Sequence, residues 1–450
     1  MIHTAALVGS GRVTVAVFTR DLRVHDNPVL CAAARASAQV VPLFVLDDAI
    51  LGREPVLPNR IGFLLAALSE LDAELRARGA RLIMRRGEVV TEVERVATEV
   101  GAGGVHIAAD VSRYSAQRAR CLRERLAAQG IPLYEHASVT AVPPGELRPS
   151  SGGAHFAVFT PYFRRWLETP IRTVHPAPDS LSVPDLDPGR LPTVAELSVA
   201  PGSPQLSVGG ETSARELLRA WLSGPVEQYA ERADDLAADA TSGLSPYLHF
   251  GCLSAAELVH RTDLSEPGGY AFARQLAWRD FQHQMLAART ELAWTDYRPP
   301  PAPPRDDPHA ADAWRAGRTG FPVIDAAMRQ LLAQGWMPGR ARLIAASFLT
   351  KTLRVDWRIG AAHFLRWLVD ADLANNQLNW QWAAGTGTDT RPNRTLNPIL
   401  QAERHDPDGS YVHRWLPELA DLPGGAVHRP WRAPTLARDY PPPIVEVNGM

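Results

Sequence analysis

The stretch Val13–Leu46, VTVAVFTRDLRVHDNPVLCAAARASAQVVPLFVL, begins and ends with a short apolar run rich in β-branched residues. Such runs are typical of buried strands in a parallel sheet. Three more runs follow, and helix-length segments such as Asn59–Arg78 and Tyr114–Gln129 lie between them. The five runs read VTVAVF, VVPLFVL, RLIMR, VHIAA and IPLYE. This alternation predicts a Rossmann-like α/β domain, in which helices cover both faces of a parallel sheet.

The sequence changes character twice after this domain. From about Thr169 to Gly210 it is rich in Pro, Ser and Asp and has little periodicity, which is typical of a long interdomain connection. After Thr212 the strand patterns end, and helical patterns dominate. We therefore predict an α/β domain (13–140), a connection (141–212) and an all-helical domain (213–450). Helices are expected at Ala214–Ser223, Gly269–Thr290, Pro322–Gln334, Gly339–Arg354 and Ala361–Val369.

Composition narrows the class of protein. The net charge of −2 creates no global field for a nucleic acid. Because Lys351 is the only lysine, the abundance of arginine is weak support for phosphate binding. The three cysteines lie far apart, so we expect neither a disulfide framework nor a cysteine-ligated metal. The apolar runs are too short for a membrane span, and the first residues lack secretory features, so we expect a cytoplasmic protein.

The segment Asp370–Asp389, DADLANNQLNWQWAAGTGTD, concentrates carboxylate, amide and indole side chains. If Asn376–Ala384 forms a helix, Asn376 and Trp380 lie one turn apart and share a face. Trp382 then points roughly 200° away from Trp380 around the helix axis. The segment could therefore bring an amide and an indole to one site and a second indole to another, although core packing also explains both tryptophans.

Hydroxyl-bearing residues surround a glycine in Thr241–Pro246, TSGLSP, a little after Tyr229. Backbone N–H groups and hydroxyls that converge on an anion would make this run a phosphate cradle. The same residues also fit an ordinary helix start, with Ser245 as the N-cap and Pro246 as the first helical residue. The sequence leaves both interpretations open.

A second polar and aromatic set lies along one predicted helix. Phe272, Gln275, Trp278 and Arg279 occupy positions i, i+3, i+6 and i+7, so they form one stripe. An amide, an indole and a guanidinium together suit a pocket for a polar aromatic ligand or a flat base. A partly buried structural stripe is the alternative.

Two pairs of opposite charges flank apolar helices farther along the chain. Arg340 and Arg342 precede the run LIAASFL, and Asp370 and Asp372 follow a later helix. A buried arginine–aspartate pair beside a cofactor would hold a fixed dipole without leaving a charge unpaired. The pairing itself is not visible in the sequence.

Taken in this order, the pieces resemble the cryptochrome/photolyase family, and in particular its bacterial members that repair cyclobutane pyrimidine dimers. The likeness covers almost the whole chain after the first dozen residues. The matching blocks are TRDLRVHDNPVL (Thr19–Leu30), TSGLSPYLHFG (Thr241–Gly251), RQLAWRDF (Arg274–Phe281), GFPVIDAAMRQL (Gly320–Leu331), ASFLTKTLRVDWR (Ala346–Arg358), ANNQLNWQWAAGTGTD (Ala374–Asp389), LNP and RWLPEL (Arg414–Leu419).

The resemblance implies that the helical domain binds a folded-over FAD. Residues that match those holding its phosphates and ribityl chain are Tyr229, Thr241, Ser242, Gly243, Leu244 and Ser245. Matches around the flavin ring are the facing positions Gln275 and Arg279, the charged pair Arg342 and Asp370, the ring-edge residue Asp372 and, beside N5, Asn376.

The resemblance also implies the reaction. Photoexcited reduced FAD gives an electron to a dimer flipped out of the duplex, and splitting of the dimer returns it. Asn376 matches the asparagine of photolyases, and Trp278 and Trp382 match the two indoles that line the dimer cavity. Arg340 and Arg394 match basic residues on the rim of that cavity, so damaged DNA is the expected partner of a monomeric enzyme.

The family reduces oxidised flavin in light through a chain of tryptophans. Trp380 and Trp357 match its first two steps. The outer step falls near Pro304, where this chain has no tryptophan, and Trp314 and Trp367 are candidates for another route. Light-driven reduction is therefore expected to be impaired or to use a different final residue.

Other departures concern the substrate. Gln275 stands where many dimer photolyases have glutamate, Gly339 where they have asparagine and Leu343 where methionine is common. No histidine lies in Gly339–Arg342, which disfavours repair of (6-4) products. A cryptochrome-like blue-light receptor is the alternative function, and a light-dependent repair assay separates the two.

A second chromophore is a further expectation. Arg60 in PNRIGF and Asp110 in AADVSRY resemble positions that bind an 8-hydroxy-5-deazaflavin antenna. Members of the family that use methenyltetrahydrofolate differ there, so the deazaflavin is the expected antenna. Ordinary surface positions on a helix and a loop are the alternative for both residues.

Overall fold

The computed structural model describes residues 13–52, 58–150, 152–197, 200–300 and 302–446, so the end of the predicted helical domain, 447–450, lies outside the described residues. Within them, five parallel strands form one sheet in the order β3-β2-β1-β4-β5. Each predicted run supplies one strand, which confirms the parallel α/β domain. The strands are β1 Val13–Val17, β2 Gln39–Asp47, β3 Ile83–Gly87, β4 Val105–Ala108 and β5 Leu133–His136.

Helices cover both faces of this sheet, as the apolar runs predict. They are α1 Pro28–Ala36, α2 Asp48–Leu51, α3 Pro58–Arg76, α4 Val89–Glu99 and α5 Arg113–Ala127. Val15 and Val17 of β1 pack in one core with α4 and α5, whereas Ala16 packs in another with α1 and α3. The strand order reverses between β1 and β4, so the loops that follow these two strands border a crevice at the carboxyl edge of the sheet.

The predicted connection runs along the α/β domain before it reaches the helical part. Its backbone accepts hydrogen bonds at Ser182 from Val40 (2.8 Å) and at Pro188 from Met84 (2.7 Å), beside β2 and β3. Its described residues also form helices α6 Phe159–Glu168 and α7 Val194–Leu197. The amphipathic α6 belongs to the core of the helical half, because the Trp166 indole donates to Asp280 at 3.0 Å.

The rest of the described chain is helical, as predicted. Its α-helices are α8 Glu211–Leu222, α9 Tyr229–Arg232, α10 Ser245–Phe250, α11 Ala255–Arg261, α12 Pro267–Ala288, α13 Pro308–Arg315, α14 Pro322–Gln334, α15 Gly339–Ser347, α16 Trp357–Trp367, α17 Leu373–Ala384, α18 Pro398–His405 and α19 Ser410–Trp415. No helix in the described ranges is long and apolar enough to cross a membrane.

Two helix boundaries differ from the prediction for local reasons. The helix expected over Gly339–Arg354 continues from α15 as one π-helical turn, Phe348–Thr352, and stops before Arg354, whose φ of 60° is left-handed. α16 starts earlier than predicted because the Asp356 carboxylate caps it by accepting from the Arg358 backbone N–H at 2.8 Å.

The two units share a core. Phe63 of α3 stacks on Phe250 of α10, with ring centroids 4.8 Å apart. The guanidinium of Arg23, in the loop after β1, donates to the carbonyl oxygen of Gly251 at 2.8 Å. The carboxyl edge of the sheet therefore faces the helical half, and side chains from the two units can meet there.

Candidate functional site

Helix α17 is the centre of the candidate site. It begins at Leu373, three residues before the predicted start, because Asp372 is its N-cap and accepts from the Asn375 backbone N–H at 2.8 Å. Asn376 and Trp380 are buried one turn apart, and Trp382 is partly exposed. The predicted helix and the spacing of its side chains are therefore present.

The amide of Asn376 is oriented by the protein around it. Its Nδ2 donates to the carbonyl oxygen of Ala361 at 3.1 Å and to Oε1 of Gln377 at 3.0 Å. No donor among the described residues meets its Oδ1. The side chain therefore keeps an acceptor for an N–H group of a ligand.

Asp372 ties this helix to the α/β domain. Its Oδ2 accepts from Arg20 in the loop after β1 and lies 3.3 Å from Nε2 of the buried His283. Arg20 also pairs at 3.2 Å with Asp110, in the loop after β4. Although burial acts to raise the pKa of Asp372, the charges of His283 and Arg20 hold that pKa well below its ordinary value. Both oxygens of Asp372 are thus engaged within the protein.

Arg342 and Asp370 form the predicted pair. Nη2 of Arg342 donates to Oδ2 of Asp370 at 2.8 Å, and Nε of Arg342 donates to the Met337 carbonyl oxygen at 2.9 Å. The Asp370 side chain is only 2% exposed, and its Oδ1 has no hydrogen-bond partner in the described part of the chain. A buried carboxylate oxygen without a donor is costly, so this atom indicates a ligand that donates to it.

The hydroxyl run does not form the ordinary helix start. The N-cap of α10 is Leu244, and Ser245 is already the first helical residue. The Ser245 hydroxyl accepts from the Trp336 indole at 3.1 Å, and the Ser242 hydroxyl accepts from the Leu244 backbone N–H at 3.3 Å. Gly243 between them has a left-handed φ of 62°, which a side chain would strain. Ser245 as an N-cap is therefore wrong.

Nearby, Tyr229 begins α9 and packs edge-on against Trp221, with ring centroids 5.4 Å apart. Burial and the charge of Asp234 raise the pKa of the Tyr229 phenol to about 12. The phenol therefore stays protonated at neutral pH and is able to donate a hydrogen bond. Thr241 is partly buried in the same connection between α9 and α10.

The stripe on α12 divides into two environments. Arg279 is largely buried and donates to the carbonyl oxygens of Val139 (2.7 Å) and Leu248 (3.3 Å), whereas Gln275 is exposed. The Trp278 ring stacks on Phe159 of α6, with centroids 3.7 Å apart and planes 6° from parallel. One face of Trp278 is thus covered, while the side chain remains partly exposed.

The inner tryptophans are enclosed. Trp380 lies edge-on to Trp314 at 5.9 Å and to Phe364 at 4.9 Å. Trp314 is fully buried and donates to the Ala345 carbonyl oxygen at 3.1 Å, so it does not reach the surface. The Trp367 carbonyl oxygen accepts from Asn59, which holds that residue against α3.

Trp357 lies between two charges. Its indole donates to the Asp296 carboxylate at 2.8 Å, and the Arg358 guanidinium lies 4.7 Å from its ring centroid. Trp357 and Pro304 both line a cavity of about 190 Å³. A cavity therefore occupies the place near Pro304 where the sequence lacks an outer tryptophan.

The two residues expected to hold an antenna lie in different places. Arg60 of α3 donates to the Leu365 carbonyl oxygen at 3.0 Å, and burial lowers its pKa to about 10. Asp110 lies in the crevice beside β1 and β4, and its Oδ2 accepts from the Ser115 hydroxyl at 3.2 Å. The two side chains do not contact each other.

Sequence reasoning missed further polar groups in this crevice. Buried atoms without a hydrogen-bond partner in the described part of the chain include Asp21 Oδ2, Asp47 Oδ2, Tyr114 Oη and Arg118 Nε. The sequence could have indicated two of them. Asp21 and Asp47 follow predicted strands, and the carboxyl ends of parallel strands meet at one edge of a sheet. Tyr114 and Arg118 carry no such signal.

The two arginines expected at the rim differ in exposure. Arg340, in the first turn of α15, pairs with Asp234 and is partly buried. Arg394 is exposed in the loop after α17, where its backbone N–H donates to the Arg391 carbonyl oxygen at 3.0 Å. Of these two, Arg394 is therefore the one whose side chain pairs with no carboxylate among the described residues and can meet an external anion.

Comparisons with known proteins agree along the chain. Residues 14–181 match the family model described as DNA photolyase, and residues 272–450 match the FAD binding domain of DNA photolyase. A deoxyribodipyrimidine photo-lyase from Streptomyces griseus is 56% identical over 440 residues, covering 97% of this chain and 96% of the relative.

Two solved structures share the whole fold. A class III photolyase from Agrobacterium tumefaciens has a TM-score of 0.90 at 32% identity, covering 99% of this chain and 96% of its own. An archaeal photolyase from Sulfolobus tokodaii, solved with two FAD molecules, has a TM-score of 0.86 at 30% identity, covering 96% of each chain.

Proposed function

This chain belongs to the DNA photolyase family, and we propose that it uses light and FAD to split cyclobutane pyrimidine dimers in DNA. The observation that carries this function is the 56% identity to a deoxyribodipyrimidine photo-lyase across nearly the full length of both proteins. The cryptochrome-like receptor is less supported, because the relative that is 56% identical is a deoxyribodipyrimidine photo-lyase. We expect a monomer that works in the cytoplasm.

The residues around α17 fit a flavin. A flavin ring presents an imide N–H group, and Asp370 Oδ1 is a buried acceptor that lacks a donor. Asn376 Oδ1 offers a second acceptor, and the Arg342 guanidinium compensates the Asp370 charge. When bound and reduced, FAD supplies the electron that light promotes for dimer splitting. We assign the contact with the edge of the flavin ring to Asp370 as well as to Asp372. Both carboxylate oxygens of Asp372 already accept hydrogen bonds within the protein, whereas Asp370 Oδ1 does not.

We infer that the rest of the cofactor lies over the connection between α9 and α10 and over α12. The hydroxyls and the left-handed glycine at residues 241–245 suit a phosphate and ribityl chain. Protonated Tyr229 supplies a donor, and Arg279 supplies a buried positive charge. The proposed contacts are Tyr229, Thr241, Ser242, Gly243, Leu244, Ser245, Gln275, Arg279, Arg342, Asp370, Asp372 and Asn376.

The proposed lesion cavity lies between two indoles. Trp278 from α12 and Trp382 from α17 are both partly exposed, as a wall for a flipped base requires. Arg394 and, after release from Asp234, Arg340 would contact phosphates around the lesion. Recognition then depends on the shape of the damaged duplex more than on its sequence.

Trp380 and Trp357 are proposed to carry electrons to oxidised flavin. Asp296 accepts a hydrogen bond from the Trp357 indole, so it is placed to receive the proton when that ring is oxidised. Burial of Trp314 argues against it as the surface step, which leaves Trp367 among the residues named from the sequence. 

The repair assay tests the function. Purified protein with chemically reduced FAD should restore an oligonucleotide that contains one thymine dimer under near-UV or blue light, and the same sample in the dark should not. Chromatographic separation of damaged and restored strands measures the product. No restoration in light, with the flavin shown to be reduced, would contradict the enzyme and leave the receptor as the better account.

We propose that the crevice beside β1 and β4 holds a second chromophore, an 8-hydroxy-5-deazaflavin. A ligand of this kind would supply hydrogen-bond partners for the buried polar atoms of the crevice that lack them in the described part of the chain. These atoms are Asp21 Oδ2, Asp47 Oδ2, Tyr114 Oη and Arg118 Nε. Asp110 lies at the same edge of the sheet, and Arg60 lies in the first turn of helix α3.

Replacing Asp110 by alanine should weaken deazaflavin binding about tenfold, the effect expected from losing one charged hydrogen-bonding group. Absorption spectra after reconstitution with the deazaflavin measure the loss, and FAD content reports whether the fold survives. Asp48→Ala is the matched control, because that carboxylate is exposed and, among the described residues, pairs with the exposed Arg86 alone. Reconstitution by methenyltetrahydrofolate instead, or an unchanged affinity in Asp110→Ala, would contradict the assignment.

A further inference from the structure

Lys351 is the only lysine in a chain whose other cationic side chains are arginines. It lies in the π-helical turn Phe348–Thr352 that follows α15. Turns of this kind are rare and often mark functional sites, because they reposition one side chain relative to a regular helix. The proposed function gives Lys351 no task.

The Lys351 ammonium joins the end of α17 to the loop that follows it. Its Nζ donates to the carbonyl oxygen of Ala384 at 2.7 Å and to that of Pro392 at 2.6 Å. Ala384 is the last residue of α17, the helix that carries Trp382. Pro392 lies in the following loop, residues 385–394. A positive charge at a helix C-terminus also interacts favourably with the helix dipole.

The geometry favours an ammonium over a guanidinium. At Gly385 a side-chain Cβ would lie 2.3 Å from the Pro392 carbonyl oxygen and 2.6 Å from Lys351 Nζ. The φ of Gly385 is 76°, so the backbone turns there in a way that favours glycine. Lysine presents a compact charge with three donors, whereas the guanidinium of arginine is a broad planar fork. The loop thus closes tightly around Nζ.

The loop held in this way carries cationic side chains to the surface. Arg391 and Arg394 are both exposed. The backbone N–H of Arg391 donates to the Asp389 carboxylate at 2.9 Å, which makes a local turn, and no carboxylate in the described ranges pairs with the guanidinium. Phosphate contacts of this kind set the position and much of the affinity of a DNA-binding protein.

We propose that Lys351 is a positioning residue that holds loop 385–394 against the end of α17, so that Arg391 and Arg394 contact DNA phosphates beside the lesion cavity. This inference rests on the proposed repair function. It assigns Lys351 no contact with the flavin or the dimer. Its effect on DNA passes through the two carbonyl hydrogen bonds.

The two hydrogen bonds of Lys351, to the Ala384 and Pro392 carbonyl oxygens, form a clamp on loop 385–394. This clamp is testable without DNA. Trypsin should cut after Arg394 in Lys351→Met about tenfold faster than in the wild type, because two hydrogen bonds that hold the loop are lost. The bond after Arg391 is protected by Pro392, so this loop offers one cleavable position, and a new N-terminus at Thr395 identifies the cut. Lys351→Gln, which keeps a donor on a shorter chain, should fall between. Lys351→Arg should not restore protection.

DNA binding tests the second half of the proposal. In the dark, Lys351→Met should bind both damaged and intact duplexes about tenfold more weakly, and the slope of log affinity against log salt should fall by about 1–2, as expected when one or two phosphate contacts are lost. FAD absorbance should be unchanged. Arg76→Met is the matched control, because it removes the same charge from an exposed position on α3 of the α/β domain.

The single lysine also gives a direct signature. With lysine labelled by ¹³C at Cε, one side-chain NMR signal reports Lys351, and it should shift when damaged DNA is added. Wild-type cleavage rates in Lys351→Met would overturn the clamp. Faster cleavage with unchanged DNA affinity would overturn the role of the loop. A wild-type protein that does not prefer damaged DNA would instead contradict the proposed function on which the inference rests.

Discussion

Replacing Asp372 by alanine should lower the free energy of unfolding by about 3–5 kcal/mol, the loss typical of breaking a buried ion pair. Two donors lose their acceptor at once, the first turn of α17 and Arg20, and the buried His283 loses a carboxylate 3.3 Å from its Nε2. His283 is then left buried without this counter-charge, and Arg20, which is partly exposed, keeps only its pair with Asp110. FAD content should fall as well, since Asn376 lies on the helix that Asp372 starts.

The charge and the cap can be separated. Asp372→Asn keeps an oxygen at the N-cap but removes the charge, so it should cost less than Asp372→Ala. Urea unfolding followed by circular dichroism measures both. Asp312→Ala is the matched control, because that carboxylate is 72% exposed and pairs within α13. Equal stability of Asp372→Ala and Asp312→Ala would show that the link between the domains carries no free energy.

The pH dependence has a defined sign. The pKa of Asp372 in the folded protein lies well below the ordinary value of an aspartate, about 3.9. Its contribution to stability is therefore complete above about pH 4 and is lost as the pH falls toward the folded pKa, because the unfolded chain binds the proton first. As the pH falls from 6 to 3, the free energy of unfolding should decrease less steeply for Asp372→Asn than for the wild type.

The sequence predicted those parts of the fold that depend on local patterns. Five apolar runs gave five strands, and the period of the later segments gave the helices around α12, α14 and α17. The end of the helix at Ser347 was not predictable, because Phe348–Thr352 keeps a helical pattern and changes only its hydrogen bonding. The helix α6, within the predicted connection, was missed because it follows a segment rich in Gly and Pro.

The candidate site was predictable only where neighbours in the sequence are neighbours in space. The relation between Asn376 and Trp380 follows from one helix. The contact between Arg20 and Asp372 joins residues 352 positions apart, so no period reveals it. The stack of Phe159 on Trp278 also comes from two distant helices, α6 and α12. Such contacts require the packed structure.

The stack of Phe159 on Trp278 fixes the ring whose removal, in Trp278→Ala, should strongly reduce discrimination between damaged and intact DNA. One face of the Trp278 ring is covered by Phe159, and Phe281 lies perpendicular to it with centroids 5.5 Å apart. The indole is thus fixed in orientation while its uncovered side remains available for a flipped base. Removing it should lower the preference for damaged over intact DNA about 10- to 100-fold, because stacking on an aromatic ring contributes about 1–3 kcal/mol per base.

Titrations in the dark with damaged and intact duplexes at one salt concentration measure this preference, since dark conditions prevent turnover. The loss of preference for damaged DNA should be several-fold smaller in Phe159→Leu than in Trp278→Ala, because the indole remains but its orientation is no longer fixed. Phe159→Tyr, which keeps an aromatic ring, should retain the wild-type preference. Trp294→Ala is the matched control: that indole is 52% exposed and is not one of the two proposed to line the cavity. If Trp278→Ala discriminates as well as Trp294→Ala, Trp278 does not line the lesion cavity, and Trp382 alone would have to supply the wall.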